Sequence, residues 1–472
     1  MKDMSYEAVM GRNNEIMKKA IGINYDVFNY GKLAFNYEEM MNKVGYSLNE
    51  VKKIQKETKV GNTPLYELIN INKLIKKYSP EGKGARIFLK DEAANSSGSF
   101  KARRAAVSVY HAKKHGYKGV IAATSGNYGA AVAAQALQKG LKCIIVQEVY
   151  DSRKIGQPEI LEKARKCEAY GAEVVQLTVG PELFYTFLKL LEKTGYFNAS
   201  LYTPFGIAGI ETLGSEIADQ MMEIEGRYPD VVIATNAGGG NLTGTARGLK
   251  KAGARNTKII GASVDLAGLH MASDKDFNKK SFTTGHTGFG VPFTTWPDRA
   301  DVPRNAARVL RYIDRYVTVT QGEVFYVTEA LAQIEGLERG PAGNTSLTAA
   351  IAIAKEMNED EIVVVQETEY TGAGKHPAAQ LTFARENGIE VRRGKPSEDE
   401  PGKKVIIPEE FDQINVKDLN LEKLKASYIK NAIIRNNVNK ITEEDFEFLM
   451  EDTNTSEEFT NKVLHDLEVK VI

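Results

Sequence analysis

The segment Asn95-Ser96-Ser97-Gly98-Ser99-Phe100-Lys101-Ala102-Arg103 delivers one aromatic ring and one lysine to the end of a turn of small residues. A lysine amine attacks an aldehyde only after losing its proton, and a tight, water-poor turn lowers its proton affinity toward neutrality. Lys101 is therefore the first candidate for covalent chemistry, as the amine that forms a Schiff base with an aldehyde-bearing cofactor.

Three glycine-rich turns follow apolar runs. Thr124-Ser125-Gly126-Asn127-Tyr128-Gly129 falls at a helix start, where free N–H groups and the helix dipole favour an anion such as a substrate carboxylate. Asn127 adds a side-chain amide there. Asn236-Ala237-Gly238-Gly239-Gly240-Asn241-Leu242-Thr243-Gly244 lets the backbone approach a phosphate without side-chain obstruction. It departs from the dinucleotide fingerprint, although Asp265 stands near the place of that motif's acidic residue, and no Gly-Lys-Ser/Thr follows as a Walker loop requires. In Thr371-Gly372-Ala373-Gly374-Lys375 the threonine hydroxyl reads as a partner for a heterocyclic nitrogen, with Thr368 the alternative if the strand ends earlier. Each turn alone is also an ordinary helix cap; their convergence carries the reading.

Such turns need a sheet to present them. From Tyr117 onward, short apolar runs alternate with helical patterns, the signature of parallel strands joined by right-handed crossovers. Strands are expected at 86–90, 120–123, 141–146, 173–177, 231–234, 258–262, 316–320 and 362–365. Helices are expected at 130–139, 158–170, 210–223, 322–335 and 345–357. Open α/β sheets place ligands at the carboxyl ends of their strands, where all three turns fall. Residues 1–58 have helically spaced apolar residues and read as a helical N-terminal extension. A core follows over 59–392, with a smaller lobe at about 105–205. After Arg392 a polar, proline-containing linker leads into a helical appendage, 393–472, with a capped helix start at Thr442. The irregular stretch 282–301, with Trp296 and His286, reads equally as a ligand loop or a surface connection. Arg304, Arg308, Arg311 and Arg315 stand at helical spacing and read as a solvated basic face.

Composition narrows the partners. The 472-residue chain balances 62 Lys plus Arg against 62 Asp plus Glu, which argues against a nucleic-acid or anionic-membrane footprint. Its two cysteines, Cys143 and Cys167, lack metal-ligand or disulfide spacing, so no metal is expected and a reducing cytoplasm fits. No signal-like N-terminus and no apolar stretch of membrane length is present.

Taken in order, Gly61-Asn62-Thr63-Pro64-Leu65, the 95–101 turn, the 124–129 loop and the 237–241 loop resemble the motifs of the pyridoxal-phosphate (PLP) enzymes of the tryptophan-synthase-beta type, fold type II. The resemblance spans about 58–390 and implies two doubly wound parallel-sheet lobes with the cofactor between them. It implies that Lys101 is the Schiff-base lysine and general base, and that Asn127 faces the ring hydroxyl. Ser125, Gly126 and Tyr128 would hold the substrate carboxylate, Ala237, Gly238, Gly239, Gly240 and Asn241 the phosphate, and Thr371 the pyridine nitrogen. Ser96-Ser97 and Ala102 depart from the commoner Pro-Thr and Asp, and Ala237 from a frequent Gly, which weakens assignment to the best-known members.

Both extensions and the Gln366–Thr371 strand end are most similar to a thiolytic subgroup of the family. That similarity implies an amino-acid substrate, coenzyme A as second substrate, a small α subunit, and a homodimer of this chain within a hetero-oligomer. Beta- or gamma-elimination or replacement uses the same lysine, and a non-catalytic binding subunit remains the alternative of another class.

Overall fold

The computed structural model describes residues 2–124, 126–151, 153–265, 290–298, 302–370 and 375–472, with the side chains of 290–292 and 375–376 left aside. Its strands are β1 (Leu65–Glu67), β2 (Arg86–Asp91), β3 (Gly119–Thr124), β4 (Lys142–Tyr150) and β5 (Glu173–Thr178). They continue as β6 (Phe197–Asn198), β7 (Val231–Thr235), β8 (Lys258–Val264), β9 (Arg315–Val319) and β10 (Ile362–Glu367). The C-terminal strands are β11 (Glu390–Gly394), β12 (Lys404–Pro408), β13 (Lys417–Asp418), β14 (Lys440–Ile441) and β15 (Lys470–Val471).

Among the described residues two main sheets hold eleven of them, with β11-β12 and β14-β15 as two-stranded pairs. The larger runs β1-β2-β10-β7-β8-β9-β13, and the smaller β5-β4-β3-β6. Every pairing in the smaller sheet is parallel, as are the interior pairings of the larger one; only β1 and β13 add antiparallel edges. Ile362 through Val365 and Val232 through Ala234 are fully buried, because a parallel strand covered by helices on both faces has no solvent side. The two lobes and their connectivity are those of the expected α/β class.

Four helices matter for the site. The lysine helix is Lys101–Lys114, the Asn127 helix Asn127–Lys139, the Pro158 helix Pro158–Ala169, and the phosphate-loop helix Gly240–Lys251. A long helix, Pro204–Glu225, runs between the first and the last of these. It starts six residues before the expected Ile210, since Thr203 caps it through the Gly206 N–H and Pro204 takes the first helical position.

The extensions differ from the expectation in detail. Residues 6–56 form four short helices and one 3-10 turn, and their apolar side chains join the main core. The stretch expected as a linker connects β11 and β12, which pair in parallel, so it is a crossover in a small sheet. The arginine run is not a solvated helix face. Arg308 (2% exposed) bridges Asp298 at 2.8 Å and Asp452 at 3.1 Å, Arg311 reaches Asp452 at 2.5 Å, Arg315 Asp418 at 2.6 Å, and Arg304 Asp298 at 3.2 Å. The run holds the C-terminal helices to the core. Trp296 is 8% exposed and packs beside Tyr428 with the Arg435 guanidinium over its ring, while His286 lies outside the described residues.

Candidate active site

Lys101 opens its helix, and the segment before it is tied to the end of β10. The Phe100 N–H donates to the Thr368 carbonyl at 3.0 Å and the Tyr370 N–H to the Gly98 carbonyl at 2.8 Å, so residues 98–100 lie along 368–370 as an added strand-like edge. Two residues on, Arg103 is fully buried in a charge network. Its Nε and Nη2 donate to Glu92 at 2.7 Å each, and its Nη1 donates to Glu216 at 2.9 Å. Thr63 donates to Glu92 at 2.6 Å, and the Asn62 and Thr63 N–H groups bond Glu216. Thus the Gly61–Leu65 motif, far upstream, clamps the first turn of the lysine helix. Burial alone would raise the Glu216 carboxyl, but Arg103 and Lys90 hold it down at about 2.

Burial pulls the Lys101 amine down to about 8; Glu369 opposes the shift and Arg104 adds to it. The Lys101 Nζ stands 5.0 Å from the Phe100 ring centre. Asn127, 8% exposed, donates from its amide to the buried Glu369 carboxylate. Lys163, on the Pro158 helix, is a second amine of this cluster, buried where Lys101 is half-buried. It pairs with Glu159 one turn earlier on the same helix, and its methylenes lie against Gly126, where a Cβ would come within 2.8 Å of Lys163 Cδ. Burial brings Lys163 to about 8 as well, with Glu369 raising it and Lys101 and Lys166 lowering it. Two lysines, one amide and the carboxylates of Glu369 and Glu159 therefore meet near the carboxyl ends of β3 and β10.

The 124–129 loop departs from its expectation at one atom. The Gly126 N–H donates to Thr124 Oγ1 at 3.0 Å, so this donor is taken by the loop itself instead of facing a carboxylate. The Tyr128 hydroxyl donates to the Ala199 carbonyl at 2.5 Å and anchors the Asn127 helix. Ser125 lies outside the described residues, as does Thr371; Thr368 is 4% exposed and its carbonyl holds the lysine turn.

The glycine loop after β7 forms a cradle. Gly239 has φ +84°, and Gly240 begins the phosphate-loop helix. A Cβ on Gly238 would meet the Tyr202 hydroxyl at 2.7 Å, one on Gly239 would strike Val309, and one on Gly240 the Arg104 guanidinium. Ala237, by contrast, is exposed, so its side chain costs nothing there. Asn241 is 5% exposed, yet neither atom of its amide has a hydrogen-bond partner among the described residues. An open cradle of N–H groups with an orphaned amide fits a phosphate. The residues present thus suit pyridoxal phosphate.

Lys163, Glu369 and Arg104 were not singled out from sequence. Lys163 had a signal: Ile160, Ala164 and Cys167 form the apolar stripe of its helix, and Lys163 falls on that stripe. Glu369 stood in the strand end already noted, unmarked as a site residue.

A lysine at a helix start, an amide beside it and an open glycine-rich cradle, all at the carboxyl ends of parallel strands in two α/β lobes, suit a fold type II PLP enzyme. Residues 56–368 match the family model described as pyridoxal-phosphate dependent enzyme, and the chain belongs to that family. It is 68% identical over 470 residues to a 2-amino-4-ketopentanoate thiolase beta subunit of an unknown prokaryotic organism, covering 100% of both chains. Identity to the 2-amino-4-ketopentanoate thiolase beta subunit of Acetoanaerobium sticklandii is 65%, covering 99% of each. Among solved structures, a pyridoxal 5'-phosphate-dependent aspartate racemase superposes with TM-score 0.54 at 19% identity, over 70% of this chain and 98% of the other, a likeness of fold.

Proposed function

We propose that the chain catalyses the thiolytic cleavage of 2-amino-4-oxopentanoate by coenzyme A, giving acetyl-CoA and alanine, as the catalytic subunit of a two-subunit cytoplasmic enzyme. The observation that carries this reading is the end-to-end similarity to two thiolase beta subunits, both extensions included. Among the described residues no helix is long and apolar enough to cross a membrane. A small α subunit and pairing of two copies of this chain belong to the same reading.

Bound pyridoxal phosphate supplies the electron sink for charge released at the substrate's α carbon. Lys101 is the amine that holds the cofactor and then, freed, removes the α proton; a proton affinity near 8 suits both tasks at neutral pH. Asn127, whose amide donates to Glu369, would face the cofactor's ring hydroxyl. Lys163, against Gly126, is the cation placed to hold the substrate carboxylate where the Gly126 N–H is already engaged. Glu369 and Glu159 together balance the two lysines, and burial of the cluster keeps water from the carbanion.

Acetyl-CoA release from 2-amino-4-oxopentanoate and coenzyme A, followed with the purified chain alone and with its partner subunit, tests the reading. No acetyl-CoA under either condition sinks it. In the same assay Lys163→Met is expected to raise KM for the amino acid roughly tenfold, the size of one charge-assisted bond, with KM for coenzyme A unchanged; equal shifts in both would remove Lys163 from the carboxylate role.

A further inference from the structure

Arg104 is a buried cation with the Phe100 ring 5.6 Å from its guanidinium but no carboxylate to balance it among the described residues. It is 3% exposed, forms no ion pair among the described residues, and its Nε has no hydrogen-bond partner. Its one hydrogen bond among those residues is a long one, from Nη1 to the Leu201 carbonyl at 3.4 Å. The contrast with its neighbour is sharp, for Arg103 has both Glu92 and Glu216. Burial draws the Arg104 guanidinium down to about 10, despite the Tyr128 and Tyr202 hydroxyls nearby.

Its position makes the imbalance worse. The guanidinium lies where a side chain on Gly240 would begin, at the first residue of the phosphate-loop helix. A helix N-terminus carries the positive end of its dipole, so two positive groups face each other in a medium of low dielectric. An anion between them turns that repulsion into two attractions. The orphaned amide of Asn241 sits on the next residue of the same turn.

We propose that Arg104 receives the phosphate group of pyridoxal phosphate, jointly with the Gly238–Asn241 backbone and the Asn241 amide. Lys101 and Arg104 stand three residues apart and so leave one face of the lysine helix together. One short helical turn thereby offers an amine for the aldehyde end of the cofactor and a planar, two-pronged donor for its phosphate end. The inference rests on pyridoxal phosphate being the cofactor and is independent of which substrate bond is broken.

The test compares pyridoxal phosphate with pyridoxal, which lacks the phosphate, in binding to the full-length chain stripped of cofactor, read by visible absorbance. Arg104→Gln and Arg104→Met are expected to weaken the phosphorylated ligand by roughly ten- to hundredfold and pyridoxal by no more than about twofold, with Arg104→Lys recovering part of the loss. The melting temperature of the stripped variants should equal or exceed that of the stripped parent, because an unbalanced buried charge is gone, while the rise on adding pyridoxal phosphate shrinks. Equal losses for both ligands, or none, overturn the proposal, as does a stripped variant that melts earlier with its preference for the phosphorylated ligand intact. A parent chain that gives no band with pyridoxal phosphate overturns the cofactor reading itself along with it.

Discussion

At the level of single residues the site is a problem of charge. Lys101 and Lys163 repel each other beside Glu369, a carboxylate that attracts both. In the proposed reading the neutral Lys101 amine is the nucleophile, and it gains its proton below about 8 and loses it above. The rate at which pyridoxal phosphate attaches to the stripped chain should therefore climb as pH rises toward 8 and level off beyond it. Glu369 favours the protonated amine, so Glu369→Gln should move that midpoint down by about one unit. A midpoint near the ordinary lysine value, or one indifferent to Glu369, would show that the amine is not held as described. None of these charges was legible beforehand except Lys101. A buried Glu159–Lys163 pair has the same four-residue spacing as a solvated one, and only the fold says which face is inside.

The element that unites the two halves of the site is the helix Pro204–Glu225. Its glycines mark where backbones touch: a Cβ on Gly209 would collide with the Arg103 carbonyl and one on Gly214 with the Thr245 carbonyl, while Gly248 of the phosphate-loop helix would strike the Glu211 carbonyl in return. The lysine helix and the phosphate-loop helix are thus set by one rod pressed against both. Helix propensity alone favours alanine over glycine by about 1 kcal/mol, but overpacking a close contact costs about 1–3 kcal/mol. Gly209→Ala should consequently lower the urea midpoint and weaken pyridoxal phosphate binding, since Arg104 moves with Arg103; a more stable variant would refute the contact. Sequence reading found the strands well, because β7 and β10 are unbroken apolar runs with no competing pattern. It shortened this helix, because glycines that permit close packing look like glycines that end helices until the neighbour is known.

For the whole molecule, the extensions are structural parts of the catalytic body. Arg308 and Arg311 converge on Asp452, whose carboxylate also takes the Tyr428 hydroxyl, and this fastens the C-terminal helices to the core. Asp452→Ala leaves two buried guanidinium groups short of a partner, an expected loss of about 3–5 kcal/mol, with the C-terminal helices the first part cut in limited proteolysis. Unchanged cleavage and an unchanged urea midpoint would contradict it. Spacing alone misread these arginines, because their acids stand up to 144 positions away in the chain. The N-terminal arm is fastened by the same region. The Leu33 and Ala34 N–H groups both donate to Asp445, at 2.7 and 2.8 Å, across separations of 412 and 411 positions. Residues 33 and 34 are thus made 411 and more positions ahead of the acid that holds them, and a chain cut short before residue 445 leaves both N–H groups without it.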